Sequence, residues 1–206
     1  MFFLGVYLEE GEGTAQVVVV EKCFFSGTKR YRIAHVERVQ ASDGDGLKKA
    51  VLEMRLDERW TAVKKVFSQS GRPPKIKKEP PLILLSSWND EVQLAEALRR
   101  RCASVEVLLR EAPDERVRNR LKADAFDNCH VVSTGMMVAA LGKTLARGSL
   151  NAGQLRSDLA APLSSLAGML LDEPERCSAA GSSLPWLSAL GSCVWHGESI
   201  RRIKRY

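Results

Sequence analysis

No apolar run in this 206-residue chain comes near the about 20 residues needed to cross a bilayer; runs such as Val17 to Val20 and Leu82 to Leu85 are a few residues each. Cysteine is sparse and scattered, at Cys23, Cys102, Cys129, Cys177 and Cys193, with no Cys-x-x-Cys pair. An odd number of cysteines without a secretion signal predicts reduced thiols in a cytoplasm, not a disulfide framework. Cys193-Val-Trp-His196 has a ligand-like spacing, but a zinc site needs about four ligands. Only Cys177, His35 and His130 are on offer to complete it, and buried thiols are the simpler reading. Enzyme signatures are missing too: no Gly-x-Ser-x-Gly elbow, Walker loop, His-Glu-x-x-His helix or dinucleotide-binding glycine motif. None of the three histidines has a sequence neighbour that suggests a triad, so each is expected to be structural.

What is present fits one domain spanning 1–206, which buries well over half of its unfolded surface without a metal or disulfide. The formal net charge is +6, and the excess is clustered. Arg72, Lys75, Lys77 and Lys78 form one group, Arg99, Arg100 and Arg101 a second, and Arg201, Arg202, Lys204 and Arg205 a third. Clustered positive charge suits a polyanion such as DNA or RNA, because contact with phosphates releases condensed counterions. Basic helix ends and a solubilising tail give the same pattern without a ligand. The four tryptophans (Trp60, Trp88, Trp186, Trp195) lie in or beside apolar segments, where core packing is favoured over base stacking.

Met1-Phe-Phe-Leu-Gly-Val6 is apolar, lacks a basic n-region and is followed by Glu9 and Glu10; it reads as a buried strand and not as a signal peptide. Strands are predicted over 2–9, 15–25 and 30–39, joined by the turns Gly11–Thr14 and Ser26–Thr28, which implies an antiparallel meander. Apolar residues then recur at helical spacing from Leu47 to about Phe67. The preceding Asp43-Gly-Asp45-Gly lacks the glutamate of a calcium loop, since Met54 stands at that position, and is read as a turn and cap. A basic, proline-rich loop is expected over about 68–81. Leu82–Leu85 has the continuous apolarity of a strand buried on both faces, a helix follows through Leu94 and Leu98, and Val105–Leu109 is a fifth strand. Residues 114–121 read as helical, and His130–Val132 as a short extended piece. A helical C-terminal part is expected over about 134–206: Met136–Arg147 capped by Gly148, a leucine stripe from Leu155 to Leu170, and a last helix from Leu184. The predicted fold is α/β, with a mixed five-stranded sheet in which the meander is extended by parallel βα units and flanked by helices. This is the element order of the ribonuclease H-like fold.

Several segments also resemble the nuclease domain of phage terminase large subunits. Gly5-Val-Tyr-Leu-Glu9 followed by the Gly11–Thr14 turn and Val17–Val20 resembles the opening hairpin of that family. Leu82-Ile-Leu-Leu-Ser86-Ser87-Trp88 leading to Arg99–Arg101 resembles its fourth strand and following helix. Met137 to Leu150 and Leu155-Arg-Ser-Asp-Leu159 resemble its later helices. The resemblance implies a sheet whose carboxylates hold two divalent ions about 3.5–4 Å apart across the scissile phosphate. At the matching places this chain has Tyr7, Ser86 and, more loosely, Ser182 or Ser183, all neutral at pH 7. The expectation is a catalytically inactive relative that binds nucleic acid or serves in a nucleoprotein assembly, with no cofactor.

Two other outcomes stay open. Glu9, Asp90 and Asp172 are shifted acids that could rebuild a magnesium or manganese site, which would make the chain a metal-dependent nuclease. Alternatively the domain is a structural or regulatory scaffold, nuclease-like or actin-like, that meets a protein partner or a second copy of itself. In the actin-like reading, Gly11-Glu-Gly-Thr14 would be a phosphate hairpin, but Glu12 would repel phosphate. A membrane partner is not expected.

Overall fold

Three successive strands, β1 (Phe2–Leu8), β2 (Thr14–Phe25) and β3 (Thr28–Gln40), form an antiparallel meander. They belong to a computed structural model that describes residues 1–9, 14–40, 44–66, 75–87, 92–101, 104–109, 129–151, 163 and 185–199. The valines at 17–20 suit a pleated, buried surface because their branched Cβ restricts χ1. β2 turns into β3 through Ser26 and Gly27, at φ 49° and 77°, the doubly left-handed geometry that matches hairpin twist.

Helix α1 (Gly44–Leu56) follows, then a single 3-10 turn over Glu58–Trp60. β4 (Ala62–Val66) and β5 (Lys75–Glu79) pair antiparallel as a separate two-stranded ribbon. β6 (Leu82–Ser87), α2 (Val92–Arg99), β7 (Val105–Leu109) and β8 (Cys129–Val131) then extend the main sheet, with β6 parallel to β1, β7 to β6 and β8 to β7. Helix α3 (Thr134–Ala146), the two-residue strand β9 (Leu150–Asn151) parallel to β3, and helix α4 (Pro185–Ser199) complete the described elements. The sheet order is β8-β7-β6-β1-β2-β3-β9.

The architecture is thus the expected mixed α/β sheet, with two differences. The sheet has seven strands and not five, because the short extended piece expected at His130–Val132 joins one edge as β8, and β9, with two residues too short for a periodicity to register, adds the other. The helix expected over 47–67 stops at Leu56, where Asp57 turns its side chain to accept the Arg59 N–H and starts the 3-10 turn. Ala62-Val-Lys-Lys-Val66 is a strand, and its partner β5 occupies part of the expected loop at 68–81. Val63 and Trp60 fit helical spacing, but a β-branched, lysine-rich segment is equally suited to an exposed ribbon. The Gly148 cap is present, at φ 60°. The helix expected at 114–121 and most of the leucine stripe lie outside the described residues; Leu163 within the stripe is buried.

Side-chain alternation splits the core in two. Leu4, Val6, Val17, Val19, Leu85 and Val107 face α1 and α2. Phe3, Tyr7, Val18, Val20 and Leu84 face α3 and α4, where Trp186, Leu187, Leu190 and Val194 meet them. Trp195 is also buried, so both tryptophans of α4 are packing residues, as expected. No described helix is long and apolar enough to cross a membrane.

Gly5 lets α4 lie directly on β1: a Cβ there would overlap the Ala189 carbonyl oxygen and stand 2.7 Å from Cys193 Sγ. At Gly135, in the first turn of α3, the nearest atom to such a Cβ is Ser133 Oγ at 3.9 Å. Gly5→Ala is therefore expected to cost about 1–3 kcal/mol through overpacking, whereas Gly135→Ala should be neutral or stabilise by up to about 1 kcal/mol. Urea midpoints of the two variants check the contrast.

Candidate functional site

The parallel register places Tyr7 directly beside Ser86, the two positions singled out by the nuclease resemblance. Both are buried. Glu9 follows β1 and turns to the meander: its carboxylate accepts hydrogen bonds from Thr14 Oγ1 (3.1 Å), Gln16 Nε2 (2.7 Å) and an Arg38 guanidinium nitrogen (2.8 Å). Partial burial opposes ionisation there, but these donors outweigh it and hold the carboxyl below its usual value. Its charge is thereby neutralised within the meander. Asp90, Asp172, Ser182 and Ser183 lie outside the described residues.

The structure does gather one partly buried polar cluster that the sequence reading did not assemble. Glu106 on β7 faces the α4 side, and its Oε2 lies 2.7 Å from His196 Nε2 and 3.4 Å from His130 Nε2. His196 comes from α4 and meets Phe3 edge-on, while His130 comes from β8 and lies against Trp195. Nε2–H is the tautomer His196 needs to donate to the carboxylate, which leaves Nδ1 bare; that buried atom has no hydrogen-bond partner among the described residues. Burial pushes the Glu106 carboxyl up, but the two histidines outweigh it and hold it at about 2. Both rings aim at one oxygen, so the cluster ties β7, β8 and α4 together. Among the described residues, no three metal-ligating side chains are arranged to hold an ion. Cys193 and His196, paired by spacing, face different neighbours: the thiol lies on Gly5, with burial pushing its ionisation far up, and the imidazole lies on Glu106. The available signal was Glu106 itself, a lone acid inside an otherwise apolar parallel strand.

The basic residues gather elsewhere. β1, β6 and β7 run in one direction, so their starts at Phe2, Leu82 and Val105 share one end of the sheet, opposite Tyr7 and Ser86. The β4–β5 ribbon enters β6 at this end through Glu79, and Trp60 before it packs on Phe2 and stacks on His35. Lys64, Lys65, Lys77 and Lys78 on the ribbon are exposed. Lys64 stands directly opposite Lys77, and both reach Glu79, at 3.6 and 3.9 Å. Lys78 pairs with Glu58 at 3.1 Å. Arg99 ends α2 a few residues before β7 begins, and Arg100 and Arg101 after it are exposed. Two of the three predicted basic groups are thus neighbours at one sheet end. Lys75 opens β5, whereas Arg72 and the cluster Arg201, Arg202, Lys204 and Arg205 lie outside the described residues.

No known protein family, curated protein or solved structure matches this chain.

The Glu106 cluster has a defined acid signature. Between its ordinary value of 4.5 and about 2, the unfolded chain binds a proton on this carboxyl that the folded chain does not. The stability it contributes, on the order of 3 kcal/mol, is complete above the unfolded value and lost as pH falls through the folded one. Glu106→Gln should lower the melting temperature at neutral pH and flatten its decline between about pH 5 and pH 2, as followed by circular dichroism.

Proposed function

We propose that this chain is a ribonuclease H-like domain that binds nucleic acid without cutting it, through the basic end of its sheet. The fold part of this reading is supported by the central strand order β7-β6-β1-β2-β3, with an antiparallel meander and parallel β6 and β7. The absence of cutting is supported by the donor set at the implied metal position. Tyr7 and Ser86 offer neutral hydroxyls where two dications require carboxylates, and Glu9 beside them is neutralised by Arg38. These residues do not fit the metal pair of the resembling nucleases.

The observation that carries the binding proposal is the convergence of the lysine ribbon and the α2 arginines at adjacent strand starts. Directly opposed lysines destabilise a ribbon by a few tenths to about 1 kcal/mol unless an anion lies between or beside them. Glu79 serves two of them at once, which leaves an excess of positive charge for phosphates. A two-stranded ribbon also fits the width of a duplex major groove.

Fluorescence anisotropy with a labelled duplex across a salt series tests the reading. Wild-type affinity should fall linearly with the logarithm of salt, and Lys77→Gln/Lys78→Gln should reduce the slope by up to about 1.8, or 0.9 for each lost phosphate contact. Undetectable binding of both the duplex and a single strand at low salt would refute it. Nicking of plasmid in manganese buffer would refute the non-cutting half alone.

A further inference from the structure

We propose that the tip of the β2–β3 hairpin is a base-stacking wedge for single-stranded nucleic acid, an inference that rests on the nucleic-acid reading above. Among the described residues, Phe24 and Phe25 hold the only exposed aromatic rings, at 67% and 61% accessibility. The tip is also placed for this role. Pairing with β1 ends at Phe2 opposite Glu21, so residues 22–31 overhang the start of β1, the same sheet end that bears the lysine ribbon and the α2 arginines.

The two rings have different surroundings because successive strand residues face opposite ways. Phe24 lies on the α4 side under Lys22, whose Nζ is 5.7 Å from the ring centroid. Lys22 and Lys29 donate to the Gly197 carbonyl, and Lys29 also to that of Glu198, so these two cations cap the end of α4. Phe25 lies on the α1–α2 side with the exposed Arg30 guanidinium 4.8 Å from its ring centroid. That side is shared by Trp60 beside the ribbon and by α2. Phe25 and Arg30 therefore open a row that passes the ribbon base at β6 and ends at Arg100 and Arg101 before β7. Strands lie about 4.8 Å apart, so β2 and β7 are separated by about 14 Å, the reach of a few nucleotides. An aromatic platform followed by a line of cations suits a single strand, whose bases stack while its phosphates meet the charges. A bilayer would instead favour apolar rings gathered on one side of the ribbon.

The test compares an oligothymidylate, a single strand carrying 2-aminopurine, a blunt duplex and vesicles of anionic phospholipid. Wild-type protein should bind the oligothymidylate and quench 2-aminopurine. Phe24→Ala/Phe25→Ala, which removes only exposed side chains and should keep the wild-type melting temperature, should bind the oligothymidylate about ten-fold or more weakly with an unchanged salt slope. Phe25→Leu, which keeps apolar bulk but no ring, should lose part of the quenching. Wild-type binding with unchanged affinity and quenching in the double alanine variant would overturn the wedge and leave the basic-end reading standing. No binding of any nucleic acid at low salt would overturn both. Phenylalanine-dependent binding to vesicles with none to oligonucleotides would also overturn the wedge, assigning the tip to a membrane surface.

Discussion

At Gly5 helix α4 rests on strand β1 with no β1 side chain between them, and the whole α3–α4 face of the sheet is organised by that contact. Because the helix sits so low, Trp186, Leu187, Leu190 and Val194 reach the rows of β1, β2 and β6. The same seating fixes two polar contacts at greater distance. It brings His196 within hydrogen-bonding reach of Glu106 on β7, and it delivers the end of the helix to Lys22, Lys29 and Tyr31 on the meander. Tyr31 donates to Glu198, and burial together with that acceptor pushes its own ionisation far up. A single glycine thus aligns the helix with strands on both sides of the sheet centre.

The polar groups of the molecule divide accordingly. Glu106 with its two histidines is an interior tie, partly shielded from water, in which the carboxylate is met by both rings. Glu9 with Arg38 and Gln16 is a second tie, at the opposite flank of β1. Lys64, Lys65, Lys77 and Lys78 of the ribbon and Arg100 and Arg101 after α2 are solvent-exposed. At one sheet end Tyr7 and Ser86 present neutral hydroxyls; at the other the chain concentrates positive charge. The two ends are separated by the length of β1, so changes at one need not disturb the other.

Much of the fold was legible in the sequence because the long elements announce themselves. The valine run of β2, the turn at Ser26-Gly27, the apolar Leu82–Leu85 and the helix ending at Gly148 each follow from local chemistry. The failures are equally local. β9 is shorter than any period, and Ala62–Val66 satisfies a helical spacing by coincidence until Asp57 redirects the chain. The Glu106 cluster could not be assembled from sequence because its members lie 24, 66 and 90 positions apart and meet only through the parallel register and the seating of α4. Phe24 and Phe25 fit an ordinary strand by their chemistry, and nothing local reveals that β1 stops short of them.

That overhang has a mechanical meaning. Strands β2 and β3 pair from Thr14 opposite Gln40 to Phe25 opposite Thr28 with one register shift, at Val19/Val20, and the chain start supports them as far as Lys22, where Met1 exchanges backbone hydrogen bonds with it. Only the last few residues project freely, about 10 Å of ribbon. The end of α4 braces one side of that projection through Lys22 and Lys29. The hairpin is therefore a short, propped cantilever, and a load applied at its tip is passed into the central strands of the sheet instead of being absorbed by bending.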